Sequence, residues 1–573
     1  LKKKYFVGAA GASLALWLAA CGGSSTSDIS VLPKDTQENV ARVLWQTQYD
    51  ESKIPADVLK NLYSPKNLPA ARGARTQKWL DDLMANPDSC SPDYSDRYKA
   101  LKNHAGSLSG QQAYAINLLL GPDSSRGYQE IPSRIDFSFP ADDAPQNQYQ
   151  VGWHFFVGSA YAQDGEEYGV QMMFWHYAML PPAMAKAAGL SDLENQALEL
   201  HLAVTRADGR HYRAKPYVVT GTTGLVQFSE APFHYVQGKN YMRSRQKDSL
   251  FPIDLRAWGQ DEAGSKPVDI GLNIGLSQTK GYVLNGDHGL SPACGGVGTL
   301  YYSVPNLRIT DGSWLEVDGK KVQLASGKFW YDHQYGTGML PEGNPRSALV
   351  RAYSNVNPFK QPANPGGWDW LMLQFDDNTE MGLAALHTAQ NAAFYQQTGP
   401  NPPGTMTAPV NGLFIDEKGE THPVTGQAQV SEWTRSTVSY APYDVTQAWY
   451  PNGVKLVFDD NPRIPAARRV VHMDPIVKTG QQGWFAMGLQ YSEGAVYLKN
   501  AQGDKVGRGF LESTGYANGN KQMLKLAGIP ATSEMLGLLE KRKLNPSQQA
   551  ACEALLEKNA AQVLEEIAQC KGI

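Results

Sequence analysis

The run Trp330-Tyr331-Asp332-His333-Gln334-Tyr335 carries the most suggestive chemistry in the chain. It reads as a strand, in which residues two apart share a face. Trp330, Asp332 and Gln334 then point one way, and Tyr331, His333 and Tyr335 the other. If the first face lines an apolar cavity, desolvation raises the pKa of Asp332 and keeps it a proton-bearing acid near neutrality. Trp330 becomes a wall whose π-face steadies a developing cation. The competing reading makes Asp332 and His333 a hydrogen-bonded latch between two β units. Asp332 and His333 are the candidate catalytic residues, with Trp330 and Tyr335 as ligand contacts.

Further ligand-binding candidates are Trp153, His154, Tyr301 and Tyr302, of which strand alternation lets only some face one cavity. Asp287 and His288 sit in a Gly-flanked loop suited to a cavity mouth, although turn chemistry alone also explains Asp287. Glu512 reads as a buried structural carboxylate. There is no G-x-S-x-G elbow, P-loop or dinucleotide fingerprint. The eleven His are scattered and neither HExxH nor CxxC occurs, so no metal or cofactor is expected.

These residues need strands to hold them. The 573 residues permit several domains, and 28 Tyr, 17 Phe and 13 Trp among 55 Gly and 35 Pro favour short strands and turns over a helical bundle. A net charge of -4 without a basic block after the first few residues argues against nucleic acid as a partner. Residues 36–125 show helical spacing broken by prolines, a prefix to which no activity attaches. From about Ile131 the period becomes two, with hairpin turns at Asp164-Gly165 and Asp208-Gly209 and a helical insertion over Pro181 to Ala197. A second β-rich block follows, and helical periodicity returns over 519–573. The expected division is a first β domain over 126–327 and a second over 328–518.

Lys2-Lys3-Lys4, an apolar run and Leu18-Ala19-Ala20-Cys21 have the layout of a secretory signal over 1–20, with a tether over 21–35. The Cys after Leu-Ala-Ala is similar to a bacterial lipobox, which implies a lipid anchor on Cys21 in the cell envelope, facing the periplasm or exterior. Cys90, Cys294, Cys552 and Cys570 then remain, enough for two disulfides in any of three connectivities.

Eight peptides in order resemble the AttH / carotenoid 1,2-hydratase family. They are Trp153-His154, the Asp164-Gly165…Tyr168-Gly169 hairpin, Gly286 to Gly289, Tyr301 to Ser303, Trp330 to Gly336, Trp368 to Trp370, Trp449 to Gly453 and Phe510 to Tyr516. The resemblance spans about Gln150 to Tyr516. It implies a mainly β protein of two consecutive lipocalin-like antiparallel β-barrels, here with a helical N-terminal prefix and a helical C-terminal tail. It also implies an apolar ligand, isoprenoid or acyl-chain, in a barrel cavity and hydration of a C=C bond by acid catalysis from Asp332. The alternatives are a non-catalytic lipid carrier, an accessory of an envelope transporter, and a secreted hydrolase of unknown substrate.

Overall fold

The computed structural model describes residues 95–104, 127–338, 367–438 and 444–540, save a few positions within them, and a few single positions elsewhere. Cys21, Cys90, Cys552 and Cys570, the signal and tether, and most of the prefix lie outside the described residues. No helix among the described residues is long and apolar enough to cross a membrane.

The first β unit is one antiparallel sheet whose central strands are long and apolar on both faces. Val151–Ala162 pairs on one side with Glu167–Ala178 and on the other with Lys320–Thr337. The turn at Asp164-Gly165 closes as expected. Gly165 takes φ +88°, its N–H bonds Ala162 O, and Asp164 Oδ1 accepts the Glu166 N–H. The insertion is shorter than expected, a helix only over Pro182–Ala187. Gly189, at φ +78°, follows it, and the next strand starts at Gln196.

The expectation of two barrels does not hold. The first sheet runs as an open path from the His211–Arg213 strand to the Val226–Glu230 strand, and those two edges do not pair. Its edge strands are short, and where the path curls back it is joined by a backbone bond from Lys215 N to Gln260 O. The concave face is filled by Phe156, Phe174, Tyr235, Leu255, Ile274 and Tyr331.

The second sheet does close. Of its nine strands, eight form a ring from Trp368–Phe375 to Lys505–Thr514, because Val470–Pro475 pairs with Gln490–Lys499 as well as with Trp449–Phe458. The ninth, Gln482–Trp484, pairs only with Gln490–Lys499. This is an up-and-down eight-stranded barrel with an apolar lining. Leu371, Leu373 and Phe375 point inward, while Trp370 and Met372 on the same strand point outward to the first sheet.

Sheet and barrel therefore meet along a seam, and buried charges pin it. Glu380, fully buried on a barrel strand, pairs at 2.7 Å with both Lys280 and Lys328 of the first unit and accepts from Asn306 Nδ2 at 2.7 Å. Gly169 allows close approach nearby, since a Cβ there would stand 2.6 Å from the Ala495 Cβ. The described tail helices Asn520–Leu526 and Ser533–Glu540 share a small core with Leu101 of the helix Ser95–His104. Arg97 of that helix caps the end of Ser533–Glu540, donating to Leu539 O at 3.0 Å.

Candidate functional site: the seam between sheet and barrel

Strand register sorts the candidate residues into two groups. Across the central ladders Trp153 lies opposite Gln334, which lies opposite Tyr301, and Phe155 lies opposite Asp332, which lies opposite Ser303. Directly opposed residues share a face, so Trp153, Tyr301, Trp330 and Asp332 all face the seam. Asp332 is thus outside the barrel, between barrel and sheet. Gly382 on the barrel wall makes room for the indoles. A Cβ there would stand 3.1 Å from Trp330 and 3.2 Å from Trp370.

Asp332 is buried at 1 % exposure. Its Oδ1 accepts from the Ser303 hydroxyl and from Trp330 Nε1 at 2.7 Å, and its Oδ2 from Trp370 Nε1 at 3.1 Å. Burial pushes its pKa up to about 6, against the pull of these donors and of the Tyr301 hydroxyl. Glu512 accepts from Trp368 Nε1 at 2.9 Å. Burial, reinforced by the negative charges of Asp332 and Asp369, raises it to about 8. Glu493 is held well above the usual carboxylate range by burial and by Glu512. At neutral pH the cluster therefore contains one anion, Asp332, cradled by N–H and O–H donors, beside two proton-bearing carboxyl groups.

The far end of the seam holds a second polar network. His201 Nε2 lies 2.6 Å from Glu199 Oε1, and its Nδ1 lies 2.5 Å from the Tyr491 hydroxyl. Arg213 and Gln171 donate to that same hydroxyl oxygen at 2.6 and 3.0 Å. Between the two ends runs an aromatic wall. Trp153 stacks on Trp175 at 4.7 Å, Trp175 meets Phe485 at 4.7 Å, and Phe485 meets Tyr491 at 4.8 Å.

The remaining candidates lie elsewhere. His333 points into the first unit and stacks on His154 at 3.9 Å, so it and Asp332 occupy opposite faces of one strand. Its Nδ1 sits 2.8 Å from Trp153 O, and burial lowers its pKa to about 4, leaving a neutral ring that donates to a carbonyl. His154 Nε2 contacts Asp143 O at 2.8 Å. The Tyr302 hydroxyl donates to Asp143 Oδ1 at 2.6 Å, and Tyr335 packs with Ile131 and Leu300. Asp287 and His288 line an open cavity of about 770 Å³ on the first unit, walled by Phe137, Phe139 and Tyr282. His288 is 89 % exposed there and bonds Asp287 at 2.6 Å.

Asp416, Glu420 and His422 bring ligand-type atoms within 4.8 Å of one another at a barrel hairpin. Asp416 Oδ1 already accepts the N–H groups of Lys418 and Glu420 at 2.9 Å, which is ordinary turn chemistry.

The family profile described as AttH-like matches residues 130–516. The chain belongs to the AttH-like family. Among solved structures, this AttH-like chain is similar to a protein assigned as AttH from Nitrosomonas europaea, at 16% identity and TM-score 0.46 over 68% of this chain and 99% of that one. It is also similar to kievitone hydratase from Nectria haematococca, at 14% identity and TM-score 0.44 over 69% and 98% of the two chains. No curated protein matches it.

Sequence reasoning passed over Glu493, Tyr491, Glu199, His201 and Asp143. Glu199 and His201 had a readable signal, two polar residues at period two inside the apolar strand LELHLAV. Glu493 and Asp143 had none, because their surroundings are assembled from distant strands.

Proposed function

We propose that the seam binds an apolar unsaturated molecule and adds water across a C=C bond, with Glu512 as acid and Asp332 as base. The Glu512 proton passes to one alkene carbon, and water attacks the other. The proton that water sheds goes to Asp332, which returns it to Glu512. The double bond is lost, a C–H and a C–O bond form, and no net proton is consumed. The ring faces of Trp330, Trp370 and Tyr301 steady the intermediate cation. The observation that carries this reading is the buried couple itself: a carboxylate held by several donors beside a protonated carboxyl, in an aromatic setting where water competes poorly. Environments that push two carboxyl groups apart in pKa are the usual way a site acquires an acid and a base.

The anchor implied by Cys21 would hold this site at the bacterial envelope, where apolar substrates reside. A carrier role, alone or as accessory to an envelope transporter, would use the same seam without the proton transfer. Incubating the chain with unsaturated isoprenoids and fatty acids, while following tryptophan fluorescence and product mass, separates the two. Hydration predicts a gain of one water, abolished in Glu512→Gln and Asp332→Asn. Binding with no mass change in any mixture would leave only the carrier, and turnover surviving in both variants would remove the couple from the mechanism.

A further inference from the structure

The walls of the seam carry polar atoms that the described protein does not satisfy. Both carboxyl oxygens of Glu493, at 1 % exposure, lack a hydrogen-bond partner among the described residues, as do Gln171 Oε1 and Trp175 Nε1. All three side chains lie along the same seam. Gln171 and Trp175 share one face of the Glu167–Ala178 strand. Gln171 reaches Tyr491, which lies two residues before Glu493 on the same face of its strand. The Tyr491 hydroxyl is already engaged by His201, Arg213 and Gln171. What the seam still offers is an amide acceptor, an indole donor and a carboxyl group.

Native interiors rarely leave such groups unmatched, and their usual partner is a buried water or a bound molecule. Burial and the neighbouring Glu512 keep Glu493 neutral. A neutral carboxyl presents one O–H donor and one C=O acceptor side by side, the complement of a hydroxyl or carbonyl oxygen. Around it the wall is aromatic and apolar.

We propose that the ligand of the seam is an oxygenated apolar molecule, carrying a hydroxyl or carbonyl group that Glu493 binds, with Gln171 and Trp175 flanking it. This rests on the seam being the ligand site, and it adds the substrate class: an oxygen-bearing isoprenoid or acyl compound rather than a hydrocarbon.

Matched probes test it on the full chain. Farnesol and farnesene have similar carbon skeletons and differ in the hydroxyl, and their binding can be followed by tryptophan fluorescence and calorimetry. The wild type is expected to prefer farnesol by about three- to tenfold, the effect of one net hydrogen bond. Glu493→Leu should erase that preference, keep farnesene binding and raise the melting temperature, since it removes an unmatched buried carboxyl. Glu493→Gln, which keeps a donor and an acceptor, should retain the preference. Equal affinity of the wild type for the two probes, or a preference that survives in Glu493→Leu, would overturn the proposal and assign those oxygens to buried water. Failure of both probes to bind the wild type would instead remove the seam as a ligand site, and this inference with it.

Discussion

Glu493 and Glu512 stand directly opposite each other across the ladder joining Gln490–Lys499 to Lys505–Thr514. Two carboxyl groups so placed cannot both ionise cheaply, and both are buried. The barrel therefore presents to the sheet a surface that stores protons at neutral pH, facing an Asp332 that does not.

That arrangement sets the pH dependence of stability. The Glu512 carboxyl, ordinarily near 4.5, is raised by burial to about 8 in the folded chain. Between those values the native state holds a proton that the unfolded chain has lost. Stability must then fall as pH rises through that window, opposite to the behaviour of a salt-bridged carboxylate. Thermal melts from pH 6.5 to 8, above the range in which buried neutral histidines such as His333 add stability with rising pH, should show a declining melting temperature in the wild type and a flatter profile in Glu512→Gln. A wild-type profile that rises over the same window would mean that Glu512 is ionised in the fold.

The Glu380 cluster should behave as a clamp. Removing its charge leaves Lys280 and Lys328 buried without their shared counter-ion, and breaking such a pair costs about 3–5 kcal/mol. Glu380→Gln should lower the unfolding midpoint by that measure in denaturant titration. Asp136→Ala, at an exposed pair with Arg134, should stay within about 0.5 kcal/mol of wild type. Similar losses in the two variants would show that the seam does not depend on its buried charges.

Gly169 tests how closely sheet and barrel approach. A Val there drives its Cβ into Ala495, an overpacking penalty of about 1–3 kcal/mol. Gly503, at a barrel turn with φ +90° and nothing within 4 Å of an added Cβ, is the contrasting case, in which a side chain meets backbone strain but no neighbour, whereas Gly169 lies in ordinary strand conformation and meets the neighbour alone. Gly169→Val should cut the affinity for apolar probes in the seam, whereas Gly503→Ala should change only stability.

Much of this was legible in the chain, and the limits have physical causes. The period of two in WYDHQY separates Trp330 and Asp332 from Tyr331 and His333, and the structure has that separation. Period alone does not tell which face meets which neighbour. Asp332 therefore reads as a barrel-interior residue in sequence, yet it faces the outside of a barrel formed by other strands. Closure is likewise a property of edges. The second sheet closes because Val470–Pro475 finds Gln490–Lys499, and the first stays open because His211–Arg213 and Val226–Glu230 do not meet. Nothing local in those short segments records the difference. Glu512, read from sequence as structural, is singled out only by Trp368 and Glu493, brought to it from other strands.

The indole donors to Asp332 provide the last test. Trp370 Nε1 donates to Oδ2 and Trp330 Nε1 to Oδ1, and both stabilise the charged form against burial. Trp370→Phe keeps an aromatic ring against Gly382 but deletes one donor, so Asp332 should titrate above its present value of about 6. A base that is protonated at neutral pH cannot accept the proton from water. Hydration in this variant should therefore need a higher pH, with the acidic limb of the rate profile moved upward and substrate affinity little changed. Carboxyl carbon NMR of labelled aspartate reads the same shift without any substrate. If the Asp332 resonance titrates unchanged in Trp370→Phe, the indole contributes packing alone, and control of the base falls to Ser303, Trp330 and Tyr301.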